Sequence, residues 1–128
     1  MWYAELGWRL VFTAASLEHL AERDIEADDV VDAVFGRYGL PRVRRGGRGA
    51  GTRWFVVAPL TGGGLLTCVL RAAQQRDLEQ EDVFVVPAAS EAALEFEPSM
   101  RLCVSAWVSA PDEVRSYHAW RRSKGGRK

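Results

Sequence analysis

The chain has 128 residues, 48% hydrophobic and 27% charged, with 17 basic and 17 acidic side chains and a formal net charge of zero. That length and balance describe one globular domain able to bury a core without staples, and no run approaches the ~18 apolar residues of a membrane span. Overall neutrality excludes a uniformly basic or acidic protein but hides local charge: residues 1–36, 37–72, 73–99 and 100–128 carry −6, +7, −6 and +5.

Trp8–Phe12 is aromatic and branched enough for a first strand. Thr13 follows as a helix N-cap, its hydroxyl placed to accept from an orphan amide of the first turn. A helix over 14–23 turns Leu17, Leu20 and Ala21 inward, and Asp24 breaks it. A second helix over 27–35 has Val30, Val31, Val34 and Phe35 as its apolar stripe, acids at its positive end, and Gly36 as its stop.

The period then changes. Arg42–Arg45 reads as a short edge strand before a glycine-rich loop over 46–51. Arg53–Ala58 and Gly64–Arg71 read as an antiparallel hairpin turned by Pro59, Gly62 and Gly63. Residues 74–81 form a loop or frayed helix, Val83–Val86 a strand, and 90–96 a helical turn before Pro98. Arg101–Val108 alternates, with Leu102, Val104 and Ala106 on one face and Arg101, Cys103, Ser105 and Trp107 on the other. A last helix starts at Ser109–Asp112, where a capping hydroxyl precedes Pro111 and an acid, and ends near Trp120.

Two helices, hairpin-linked strands and a final helix define an α+β fold: an antiparallel sheet with two N-terminal helices packed on it and a C-terminal helix. Residues 1–120 make the domain, and 121–128 are a basic, flexible tail.

Neither cysteine nor histidine spacing fits a metal site, so no cofactor is expected. Cys68 and Cys103 lie in apolar runs, as buried thiols of a reducing cytoplasm do, and the first twelve residues have no basic start to suggest secretion. The glycine-rich loop lacks GxxxxGK[ST] and leads into no helix, which disfavours a nucleotide cradle, and neither G-x-S-x-G nor H-E-x-x-H occurs.

The chemistry that remains is arginine interleaved with tryptophan and tyrosine. If the fold brings the two basic blocks together, they form a cationic surface for RNA phosphates or an acidic partner; otherwise they are a solvated face. Arg42, Arg44, Arg45, Arg48 and Trp107 are the candidates for RNA binding. Arg53, Arg71, Arg101 and Tyr117 are the candidates for catalysis, and Arg101 stands out because Ser105 and Trp107 share its expected face. Arginines can stabilise charge growing on a phosphate while the RNA 2′-hydroxyl attacks. Each candidate also has a structural reading, as a solubilising arginine or a core aromatic.

Three segments carry a resemblance to a family. They are His19–Ile25 leading to Val30–Phe35, Arg53–Val57 with Gly64–Leu70, and Arg101–Trp107 followed by Glu113, Arg115 and Tyr117. In order and spacing they resemble the BrnT-type toxins of bacterial toxin–antitoxin pairs, in the RelE-like ribonuclease superfamily. The resemblance implies a RelE-like fold and a metal-independent endoribonuclease toxin, a hydrolase cleaving mRNA under restraint by a cognate antitoxin. It also leaves a homodimer open. Arg23-Asp24 stands where that family has His-Gly, Trp107 stands where it has arginine, and the acidic stretch 74–99 is longer. These departures bear on catalysis more than on fold, so a non-catalytic RNA- or protein-binding module is the alternative.

Overall fold

The computed structural model describes residues 7–87 and 95–125. The elements follow in chain order as β1 (Arg9–Phe12), α1 (Ala14–Ala21), α2 (Ala27–Val34), β2 (Arg42–Gly46), β3 (Arg53–Pro59), β4 (Leu65–Ala72), α3 (Gln75–Leu78), β5 (Phe84–Val86), β6 (Met100–Val108) and α4 (Pro111–Gly125). The fold is α+β. Six strands form one mostly antiparallel sheet in the order β2-β3-β4-β6-β1-β5. The exception is β1, which runs parallel to β6 and pairs antiparallel with β5 on its other side.

Local chemistry explains the helix ends. The Thr13 hydroxyl accepts from the Ser16 amide at 3.2 Å, so the expected N-cap of α1 is present. At the other end Asp24 adopts φ 57, a left-handed conformation that a short polar side chain tolerates, and the chain turns toward α2. In α2 the Glu26 amide donates to Asp29 Oδ2 at 3.0 Å, half of a capping box, and Gly36 leaves the helix with φ 73.

Helices α1 and α2 cover one face of the sheet. Leu20, Ile25, Val30, Val31, Ala33, Val34 and Phe35 bury against Leu10, Phe12, Val56, Ala58, Leu66, Cys68, Leu70, Cys103 and Ala106. All four predicted stripe residues of α2 are buried; in α1, Ser16 turns inward beside Leu20 and Ala21 is exposed. The Ser16 hydroxyl donates to the Cys103 carbonyl at 2.8 Å, which makes that burial tolerable.

The opposite face has two smaller clusters. Val57, Leu65 and Tyr117 pack where α4 crosses β3 and β4. Val11, Ala73, Leu78, Val85, Met100 and Leu102 pack where α3 closes the other end. Cys68 and Cys103 are buried free thiols; burial pushes Cys103 up to about 12 and Cys68 well above its ordinary value. Among the described residues no helix is long and apolar enough to cross a membrane.

Two expectations change. First, β6 does not alternate throughout. Leu70 pairs with Cys103 but Val69 pairs with Ser105, so Val104 is an extra residue and the pleat slips there. Arg101 and Cys103 therefore face α1 and α2, whereas Ser105 and Trp107 face α4. Second, α4 runs past Trp120 to Gly125, so most of the predicted tail is helix. Its start is as expected, but the cap is Glu113, which accepts from the Ala110 amide at 2.6 Å, while Ser109 bonds Thr67 at 2.7 Å. Residues 74–81, expected as a loop or frayed helix, do contain the short helix α3. Of the predicted turn over 90–96, the part through 94 lies outside the described residues.

Candidate functional site

The strand register sorts the basic residues onto two faces. On the α4 side, one row across the sheet runs Arg42, Val57, Thr67, Trp107, and the next runs Arg44, Phe55, Val69, Ser105. Beyond them Gly46 pairs with Arg53, and Arg71 pairs with Leu102. Among the described residues helix α4 packs on Val57 of the first row and on Leu65, through Tyr117, Val114 and Trp120. In the second and third rows Val69 and Leu102 are buried, while Arg44 is exposed and Phe55 and Arg53 keep part of their surface.

Each predicted residue has a definite environment there. Arg42 donates from Nη1 to the Ser116 hydroxyl at 2.9 Å and carbonyl at 3.3 Å, with its guanidinium 5.7 Å from the Trp120 ring. This contact joins the first basic block to the helix carrying the second. Arg44 and Arg48 are exposed, and their side chains make no hydrogen bond or ion pair among the described residues. Arg53 is half-buried and donates to the Thr52 carbonyl at 2.9 Å and the Ala50 carbonyl at 3.4 Å. Both acceptors are neutral, so its charge is held in place without being cancelled.

Arg71 and Tyr117 are differently placed. Arg71 makes a two-pronged ion pair with Asp77, at 3.0 and 2.9 Å, in which the Asp77 side chain is 3% exposed. Burial alone would raise the Asp77 carboxyl; hydrogen bonds from Arg71 and the Gln74 amide, with the charges of Arg71 and Arg76, outweigh it and hold the group below its ordinary value. The Tyr117 hydroxyl donates to the Leu40 carbonyl at 2.6 Å. Burial raises its pKa, opposed by nearby Arg121. Trp107 donates from Nε1 to Glu113 at 3.1 Å, and Arg23 lies 5.7 Å from its ring. In this arrangement these side chains brace the sheet against α3 and α4.

Arg101 is separated from Arg53 and Arg71. It pairs with Ala72 and Leu10 and projects to the α1/α2 side. Its guanidinium lies 4.3 Å from the Trp54 ring and 5.2 Å from the Trp8 ring, and Arg45 lies 5.9 Å from Trp54. Nη1 donates to the carbonyls of Pro98 and Met100 at 2.7 and 3.0 Å. The expectation that Arg53, Arg71 and Arg101 border one surface therefore fails for Arg101, because the pleat, not the charge, decides the face. Arg101→Ala is expected to cost about 1–2 kcal/mol of stability, as a guanidinium stacked on two indoles is lost. A denaturant melt checks this, and an unchanged midpoint would sink the structural role.

Phe55 is a further candidate, beyond those named from the sequence. It is partly exposed beside the buried Val69, with no aromatic partner among the described residues. The signal was present in the alternation of Arg53, Phe55 and Val57 along one strand. Among the described residues, no three His, Cys, Asp or Glu side chains gather to hold a metal ion. No protein-family model, no curated protein and no solved structure matches the chain.

Proposed function

We propose that this protein binds single-stranded RNA across the α4-side face of its sheet, with the strand lying over β2 and β3. What supports the reading is the run of Arg42, Arg44, Arg48 and Arg53, with Arg42 tied through Ser116 and Trp120 to the helix that carries Arg115, Arg121 and Arg122. Because the net charge is zero, any attraction for a polyanion must come from this local patch and not from the molecule as a whole.

The test is a salt titration with a fluorescent RNA oligomer. Affinity is expected to fall with rising salt, with a log–log slope of about −0.7 for each phosphate contacted. Binding that is absent at low salt, or indifferent to salt, would remove the reading and leave a protein partner.

A second reading is that the bound RNA is cut. It draws on the resemblance to BrnT-type toxins and on Arg53 and Arg71 projecting from one face of neighbouring strands. In that reading the 2′-oxygen attacks the adjacent phosphorus, the P–O5′ bond breaks, and the 5′-oxygen leaves carrying a proton. Arginines would stabilise the added negative charge. Cleavage is then expected to persist in EDTA and to leave 2′,3′-cyclic or 3′-phosphate ends. The cellular setting would be the bacterial cytoplasm, with an acidic antitoxin covering the basic face. Induced expression of this chain alone that leaves bacterial growth unaffected would count against it.

A further inference from the structure

We infer that Phe55 is the base-stacking residue of this face: a nucleobase lies against its ring while Arg44 and Arg53 hold the flanking phosphates. The inference rests on the RNA-binding reading and adds what the RNA must offer, which is bases as well as charge.

Three observations place the base there. Phe55 sits directly across from Arg44 and two residues from Arg53, partly exposed beside the buried Val69. Positions two apart on a strand repeat every ~6.6–6.8 Å, a step on the scale of one extended nucleotide. A ring with one arginine across the strand pair and another two residues along its own strand can therefore meet a base while both arginines meet the backbone.

Gly46 gives the second observation. On the α4 side β2 presents Arg42, then Arg44, then Gly46. A Cβ at Gly46 would lie 3.6 Å from Phe55 Cε2, so the ring reaches over the glycine. The run of arginines stops where a side chain would stand against that ring, and the ring stays approachable from the edge of the sheet.

The third is the state of the two arginines. The Arg44 side chain is exposed without an acidic partner among the described residues, and Arg53 meets only neutral carbonyls. A partly exposed phenylalanine is ordinary on a protein surface. One flanked by two uncompensated guanidiniums matches the stacking-plus-phosphate arrangement by which proteins hold single strands. An acidic peptide would satisfy the arginines but has no use for the ring.

The experiment compares a ten-nucleotide oligoadenylate with an abasic ribose-phosphate oligomer of equal length, binding to the full chain by fluorescence anisotropy. Wild type is expected to bind the base-bearing strand roughly tenfold more tightly. Phe55→Leu, confirmed folded by thermal melt, should lose that preference and keep the salt slope, whereas Phe55→Tyr should retain both. Equal binding of the two oligomers by wild type overturns the role of Phe55 and leaves the RNA reading standing. A preference that survives in Phe55→Leu overturns it too. Should Phe55→Leu fail to fold, the wild-type comparison with Phe55→Tyr decides. No binding of either oligomer at low salt, or capture of polyglutamate instead, overturns the RNA reading itself.

Discussion

Reversing Arg44 and Arg53 together, as R44E/R53E, should weaken RNA binding about 100-fold near physiological salt. Hydrogen bonds to charged groups contribute ~1.5–3 kcal/mol each, so two lost phosphate contacts remove ~3 kcal/mol or more. The salt slope should also become shallower by about 1.4, because two fewer counterions are released from a single strand. The fold should survive. Arg44 is exposed, and an exposed side chain of that kind contributes within ~0.5 kcal/mol. Arg53 adds two hydrogen bonds to carbonyls, worth ~1–3 kcal/mol between them once water competes. Arg76→Glu makes the control: it reverses an exposed arginine on α3 and should change affinity little. A double variant that binds as tightly as wild type, with the same slope, would show that the ligand lies elsewhere.

What the sequence made legible was local. The Thr13 cap, the stop at Gly36, the β3–β4 hairpin and the valine stripe of α2 each depend on residues within a few positions of one another. What it hid was long-range pairing. Nothing in Trp8–Phe12 says that its strand runs parallel to β6, some ninety residues on, and lies between β6 and β5.

The site was harder to read for the same reason. Arg101 was grouped with Ser105 and Trp107 by counting in twos along β6. The extra residue at Val104 breaks that count, so the three residues part company across the sheet. Arg71 read as a strand-end arginine available to phosphate. Its acidic partner sits six positions downstream, in a stretch whose helix is only four residues long. Phe55 went unremarked because a phenylalanine in an apolar strand normally faces a core, and only the reach of α4 determines that this one does not.

Asp77→Asn should destabilise the protein by about 2–3 kcal/mol at neutral pH. Breaking a buried ion pair by removing one charge typically costs ~3–5 kcal/mol. The lower figure is chosen because the Arg71 side chain is 24% exposed and recovers some hydration. The effect should also depend on pH in a fixed direction. The Asp77 carboxyl in the folded protein lies below its ordinary value, which is ~3.9 in an unfolded chain. The unfolded state therefore takes up this proton first as acid is added. The stabilisation is full above about pH 5 and is lost as pH falls through ~4 and below. Denaturant midpoints for wild type and Asp77→Asn should differ clearly at pH 7 and by less at pH 3. A gap of the same size at both would mean that the pair contributes through shape and not charge. The same variant also separates the two functional readings of Arg71. Released from its carboxylate, Arg71 adds a positive charge to the α4-side face, so RNA affinity should rise if the strand passes over it. Affinity that stays level in folded Asp77→Asn would confine Arg71 to holding α3 on the sheet.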